Sequence, residues 1–183
     1  MQTRSRIPVS WCIGICSAIA ASSALPAEQI GLDSLHFLLG EWRGTGDGKW
    51  GSSAAERQYE LVFGENFMRG HGRSVYPRQD KNREGEIHES LDMYSFDQQR
   101  QTVVLRQFDN EGFVTTYYLN LETSNPDLLI FESAQLENVP LGWKARVTFE
   151  RKGTDEFHEY FHLDKATGTF ERYITNRFLR ISD

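Results

Sequence analysis

The sequence predicts an all-β protein in which about ten antiparallel strands follow one another and close into an up-and-down barrel. Apolar and polar side chains alternate with a period of two, most clearly at 56–63, 113–121 and 144–151. Turn-forming residues recur roughly every 10–15 residues, a spacing that favours antiparallel neighbours because parallel strands need longer crossovers. Strands with one apolar face are expected to curl and close, since closure removes exposed strand edges.

Residues 1–27 have the pattern of a secretory signal peptide. Arg4 and Arg6 form a positively charged start, a short apolar run follows at 11–20, and small residues lead to Ala27. The apolar run is shorter than the roughly 20 residues that span a bilayer. We therefore predict that the signal is removed and leaves no membrane span.

The predicted mature chain is a single barrel domain, residues 28–183, with cleavage after Ala24 as the alternative boundary. The two cysteines, Cys12 and Cys16, both lie in the signal, so the domain cannot depend on disulfides for its stability. The expected location is exported, either periplasmic or extracellular.

The barrel is preceded by a short helical turn. Leu32, Leu35, Leu38 and Leu39 recur at helical spacing immediately before Gly40. Turn-forming segments then divide the remaining chain into ten strands. In order, these are predicted near 41–48, 54–63, 66–77, 86–96, 102–108, 112–121, 128–135, 143–150, 157–163 and 169–180.

Composition narrows the classes of function. The 183 residues are 39% hydrophobic and 13% aromatic, which is enough to build a core and argues against a disordered chain. Lys and Arg number 20 against 26 Asp and Glu, for a net charge of −6. Nucleic-acid binders need clustered basic residues to neutralise phosphates, so we expect no nucleic-acid partner.

One stretch resembles a known family. The pattern Leu35-x-x-Leu38-Leu39-Gly40-x-Trp42-x-Gly44-x-Gly46 is similar to the opening of the nitrobindin-like haem-binding β-barrels, which are lipocalin-like (calycin) barrels. Further segments look like bacterial exported relatives of that group: Phe67-x-x-Gly70, Arg73–Pro77, Gly85-Glu86-x-His88-Glu89, Leu105–Phe108, Glu111–Val114 and Gly142-Trp143-x-Ala145-Arg146. The similarity runs over most of 35–180.

The resemblance implies roles for individual residues. Trp42 would plug the closed end of the barrel, with Arg180 stacked on it. Haem would be the cofactor, and Tyr173 stands where that family has its iron-binding histidine. Tyrosine also ligates haem iron in other proteins. Strand alternation puts Tyr173 on the face opposite Ile174 and Phe178 unless a bulge intervenes.

The predicted function is binding of a small apolar or amphipathic ligand, haem being one candidate, in the barrel interior. An interior Arg is able to meet a ligand carboxylate, although Arg106 and Arg146 are also consistent with outward positions on alternating strands. The predicted ligand-binding residues are Trp42, Tyr59, His88, Arg106, Tyr117, Arg146, Tyr173 and Arg180.

Two other functions remain open from the sequence. His158-Glu159-Tyr160-Phe161-His162 matches H-E-x-x-H, a zinc motif only on a helix, because residues i and i+4 lie about 13 Å apart on a strand. His88 is an alternative acid/base residue for a hydrolase. The third interpretation is a structural barrel with a filled interior. The sequence favours a binding protein over an enzyme.

Overall fold

The computed structural model describes residues 30–181, and every strand in that range joins one sheet. A 3₁₀ helix, Leu32–Leu38, precedes the sheet. The strands are Gly40–Gly48 (β1), Gly51–Val62 (β2), Phe67–Tyr76 (β3), Glu86–Asp97 (β4), Thr102–Asp109 (β5), Val114–Leu119 (β6), Leu128–Glu137 (β7), Trp143–Arg151 (β8), Glu156–Lys165 (β9) and Glu171–Arg180 (β10). The predicted signal peptide, residues 1–27, lies outside the described residues.

Each strand pairs antiparallel with the next in sequence, and β10 pairs with β1 to close the barrel. At the closure Trp42 lies opposite Arg180 and Gly48 lies opposite Ile174. This confirms the predicted all-β, ten-stranded, up-and-down barrel with its short N-terminal helical turn. Within residues 30–181, no helix has the length and apolar character needed to cross a membrane.

The helix side of the barrel is closed by a plug around Trp42. The Trp42 indole is buried, and its Nε1 donates to the Leu38 carbonyl at 2.6 Å. The Arg180 guanidinium lies 4.1 Å from the centre of the indole and donates to the carbonyls of Leu39 and Phe37. The structure therefore has the Trp–Arg stack that the resemblance implies, with Arg180 also tying the helix to the last strand.

Aromatic rings fill the half of the barrel next to the plug. Phe157 meets Trp42 edge-on, with ring centres 4.7 Å apart, and stacks on Phe178, with ring centres 4.9 Å apart. The ring centre of Tyr94 lies 6.0 Å from that of Phe131 and 6.5 Å from that of Phe149. These side chains come from inward positions of the alternating strands and are fully buried. The packing fixes one end of the barrel and leaves the other end to form a site.

Candidate functional site

The other half of the barrel contains an open cavity of about 450 Å³. Strand β1 runs away from the plug, and Trp50, which follows it, lines the cavity. The cavity therefore opens at the end of the barrel opposite Trp42. Its volume lies within the range of small-molecule sites, about 300–1,000 Å³, so the filled-barrel interpretation is wrong for this half of the interior.

A buried ion pair between Arg57 of β2 and Glu159 of β9 forms part of the cavity floor. Arg57 Nε donates to Glu159 Oε2 at 3.1 Å, and Nη2 donates to Oε1 at 2.8 Å. Asn176 Nδ2 donates to the same Oε1 at 2.7 Å. Burial lowers the pKa of Arg57, but the attraction of Glu159 outweighs it, so the net pKa is raised and the guanidinium stays charged.

Two glycines of β1 leave room for the groups that surround this pair. Strands β2 and β9 are separated in the sheet by β1 and β10, so the ion pair must cross in front of both strands. The inward residues of β1 beside the crossing are Gly44 and Gly46. A Cβ at Gly46 would collide with the side chains of Asn176 and Ser53, and one at Gly44 with the Arg177 carbonyl oxygen. The Gly-x-Gly spacing is therefore a packing requirement of the floor.

Asp92 on β4 is the second ionisable element of the floor. Its side chain is almost fully buried, with the residue 4% exposed, and it lines the cavity. Gln107 Nε2 donates to Asp92 Oδ1 at 3.0 Å, and the Tyr117 hydroxyl donates to Gln107 Oε1 at 3.3 Å. Burial raises the pKa of Asp92 to about 7, despite the opposing effects of the Gln107 hydrogen bond and the Arg57 charge.

Strand β4, the end of β5 and the turn after β5 carry a polar surface from this floor to the rim, which we call the acidic wall. It consists of Glu86, His88, Ser90, Asp92, Asp109 and Glu111. Asp109 lies opposite Ser90 in the sheet. Burial also raises the pKa values of Asp109 and Glu111, and Glu86 adds to the effect on Glu111.

At the rim, His88 lies between two carboxylates. Its Nε2 is 3.1 Å from Glu86 Oε1 and its Nδ1 is 3.1 Å from Glu111 Oε1. In the part of the chain that the structure describes, these three residues are the one group of His, Cys, Asp or Glu with three ligand atoms within 4.8 Å of one another. The two carboxylates therefore lie beside the two nitrogens of the His88 ring.

The opposite side of the cavity is an apolar wall from β8, β9 and β10. Its side chains are Ala145, Val147, Phe161, Leu163 and Ile174. Trp143 and Lys165 lie at the rim of this wall, with Lys165 Nζ 4.9 Å from the centre of the Trp143 ring. The cavity is thus two-sided, with carboxylates facing hydrocarbon.

Tyr173 reaches the cavity because β10 has a bulge. Arg172 pairs with His162 and Ile174 pairs with Phe161, so Tyr173 has no partner of its own on β9. The residue is 7% exposed and lines the cavity, and its ring meets Phe161 edge-on at 6.4 Å. Simple alternation would have turned Tyr173 outward, and the extra residue at the bulge turns it inward.

Two further predicted ligand-binding residues, His88 and Tyr117, also line the cavity. The other five do not. Trp42 and Arg180 form the plug at the closed end. Tyr59 is buried in the aromatic core, where its ring meets Tyr94 at 6.4 Å.

Arg106 and Arg146 point away from the interior. Arg106 is exposed and donates to Ser95 Oγ at 3.2 Å. Arg146 pairs with Glu132 and lies 4.0 Å from the Phe170 ring centre. Both follow the alternation of their strands, because their buried neighbours Leu105 and Ala145 take the inward positions. We therefore leave all five residues out of the candidate site.

The H-E-x-x-H segment is a strand, so it lacks the helix that a zinc site requires. His158 contacts Glu156 and Tyr160, whereas His162 lies near Arg172. The two imidazoles therefore have separate partners. Between them, Glu159 points inward to the floor, so the structure contradicts the zinc interpretation and gives this glutamate a different position.

Sequence reasoning missed Arg57, Asp92, Gln107, Glu159 and Asn176. A signal for Glu159 was present, because Phe157 and Phe161, two residues away on either side, are apolar and share its face of the strand. Asp92 has the same relation to buried Tyr94.

No protein-family model and no curated protein matches the chain. Among solved structures, Rv2717c from M. tuberculosis is similar, with a TM-score of 0.62 and 17% identity over 82% of this chain and 97% of that chain. A structure of EF1p2_mFAP2b bound to DFHBI matches at 14% identity over 81% of this chain and 97% of that chain. Its TM-score of 0.36 is too low to establish a shared fold. The likeness to Rv2717c supports the fold alone, a closed antiparallel β-barrel.

Proposed function

We propose that the protein binds a small apolar or amphipathic molecule in the open half of its barrel. The observation that carries this proposal is the 450 Å³ cavity with an apolar wall, a polar floor and an open end. A cavity of this kind buries the body of a ligand against hydrocarbon and orients it by a few polar groups. The filled aromatic half provides a rigid support that does not need the ligand.

A neutral fluorescent dye tests this proposal directly. N-phenyl-1-naphthylamine is expected to become more fluorescent when the purified protein is added. Val147→Phe places extra bulk in the cavity, and we expect it to weaken dye binding at least roughly tenfold. Leu179→Phe is the matched control, because Leu179 is 62% exposed on the outside. Unchanged dye binding in Val147→Phe, or no binding by the unmodified protein, would refute the proposal.

Ferric haem is a second candidate ligand, and the bulge at Tyr173 is the observation that favours it. It rests on the proposed relation to the nitrobindin-like barrels, in which a histidine holds the iron at the corresponding position. Lys49 Nζ lies 4.3 Å and Lys165 Nζ 5.3 Å from the centre of the Tyr173 ring. Tyrosine is a known type of haem-iron ligand. The Tyr173 side chain is therefore the group on this side of the cavity that would hold the iron.

Titration with haemin tests this candidate separately. We expect a shifted Soret band with the unmodified protein and its loss in Tyr173→Phe. Tyr118→Phe removes a hydroxyl elsewhere, since the Tyr118 ring contacts Arg100 rather than the cavity lining, and should keep the band. Absence of a shifted band, together with intact dye binding, would remove haem and leave the binding function standing.

We propose further that the protein acts after export to the periplasm or the extracellular space. The support is the charge and hydropathy pattern of residues 1–27. Expression of the full chain in a Gram-negative host, followed by N-terminal sequencing of the product, should give a start at residue 25 or 28. A product that stays in the cytosol with residues 1–27 attached would contradict export.

A further inference from the structure

We propose that the physiological ligand is an organic cation, an amphipathic amine whose ammonium group lies at Asp92 and whose apolar body lies along the apolar wall. This inference rests on the proposed function and specifies the chemistry of the same cavity. It follows from which polar groups of the floor are already saturated, from the charges between floor and rim, and from the surface that faces them.

The cationic donor of the floor, the Arg57 guanidinium, is already paired with protein oxygens. All three nitrogens of the Arg57 guanidinium donate to protein oxygens: Nε and Nη2 to Glu159, and Nη1 to the Glu56 carbonyl at 2.9 Å. The Arg57 charge is neutralised by a carboxylate at 2.8 Å. An anionic ligand would have to displace Glu159, and breaking a buried ion pair is strongly unfavourable. The floor therefore gives a carboxylate or phosphate no ready partner.

The acceptors of the floor retain capacity. The hydrogen bonds run from Tyr117 to Gln107 and from Gln107 to Asp92, so the donors point toward Asp92 and the carboxylate receives them. An ionised carboxylate has about four acceptor positions. Gln107 and Ser90 each use one of them, which leaves about two. A ligand ammonium, which has donors only, is the complementary group for the rest.

The charges along the acidic wall extend this preference to the cavity entrance. Glu86, Asp109 and Glu111 lie between Asp92 and solvent, and His88 is the basic residue among them. Carboxylates that line a low-dielectric cleft concentrate cations and repel anions on the way in. Lys165 lies at the opposite rim, but these three carboxylates outnumber it, so the entrance favours the same sign of charge as the floor.

The apolar wall accounts for the rest of the ligand. Val147, Phe161 and Leu163 face the acidic wall across the cavity and have no polar side-chain atom to offer. An inorganic cation would leave this surface against water, whereas a hydrocarbon or aromatic body would cover it. The combination of one acidic and one apolar wall specifies a cation with a substantial apolar part.

Competition between three ligands of equal length tests the charge preference. Octylamine, octanol and octanoate would displace N-phenyl-1-naphthylamine at about pH 8, where Asp92 is mostly ionised and octylamine is still a cation. Arg57, whose pKa is raised, and Glu159 act electrostatically on Asp92 from the same floor in opposite directions, beside Gln107 and Tyr117. We expect octylamine to compete at a concentration roughly tenfold lower than octanoate, the size expected of a hydrogen bond to a charged group.

Variants assign this preference to one side chain. Asp92→Asn should abolish the tenfold advantage of octylamine over octanoate, with octanol competition in the same variant as the reference for any general change in the cavity. Glu60→Gln is the matched control, because Glu60 pairs with Arg69 outside the barrel, and it should keep the full preference. Equal competition by octylamine and octanoate, or a preference that survives in Asp92→Asn, would overturn the inference. Failure of the dye to bind at all would instead overturn the proposed function itself.

Discussion

Asp92 makes the stability of the barrel depend on pH in a way that Asp92→Asn removes. Burial raises the pKa of Asp92 from 3.8 to about 7 in the folded protein. Between these values the folded state holds a proton that the unfolded chain releases, so stability falls as pH rises from about 4 through 7. Each pKa unit is equivalent to about 1.4 kcal/mol, so ionised Asp92 costs the folded state about 4 kcal/mol. Asparagine keeps the shape and carries no such cost.

The assay is urea unfolding followed by tryptophan fluorescence at a series of pH values from about 4 to 8, for the unmodified protein and for Asp92→Asn. The quantity of interest is the difference between the two free energies of unfolding. It should grow by about 4 kcal/mol in favour of Asp92→Asn as pH rises, and be small near pH 4. Glu60→Gln should show no comparable trend. Parallel curves for the unmodified protein and Asp92→Asn would refute the reasoning, because they would mean that Asp92 ionises normally in the fold.

Three other changes test the floor and the plug. Glu159→Gln leaves the Arg57 guanidinium buried without its carboxylate, and we expect a loss of about 3–5 kcal/mol in urea unfolding, mostly recovered in the double variant Arg57→Met/Glu159→Met; no recovery would contradict the pairing. Trp42→Ala should cost about 3–5 kcal/mol by the same assay, and a loss below about 1 kcal/mol would mean that the plug is not a structural element. Gly46→Ala should lower the melting temperature by calorimetry, because the added methyl meets polar side chains of β2 and β10, whereas Gly153→Ala enters open space; equal melting temperatures would contradict this close approach.

The fold was predictable because each strand carries its own signal. Alternation depends on neighbours two residues apart and was clearest in three strands, and the turn-forming segments located all ten strands to within a few residues. The turns were equally local, since positions such as Gly112 and Gly142 adopt positive φ values that glycine tolerates best. Closure followed from a general cost, that of leaving strand edges open, rather than from any particular residue.

The site was less predictable because its groups depend on partners distant in sequence. Arg57 shares a strand face with the apolar residues Tyr59 and Leu61, and only a carboxylate 102 residues away makes a charged side chain tolerable at that inward position. Tyr173 is inward because of a register shift between two strands, which the sequence of one strand does not specify. Pattern reasoning therefore found the aromatic core and part of the cavity lining, and it missed the charged floor.

The charged floor bears on function more than on stability. Replacing a buried ion pair with apolar side chains of similar volume is commonly neutral or stabilising, so stability alone does not require Arg57 and Glu159. The position of Arg57 and Glu159 gives a better reason for their presence. They lie between the packed aromatic half and the open half of the barrel, and apolar side chains at the same place would extend the core into the cavity. A polar layer ends the core at a defined depth and presents the cavity with Asp92 rather than with more hydrocarbon. The geometry of this layer thus determines both where a ligand stops and which of its ends reaches the floor.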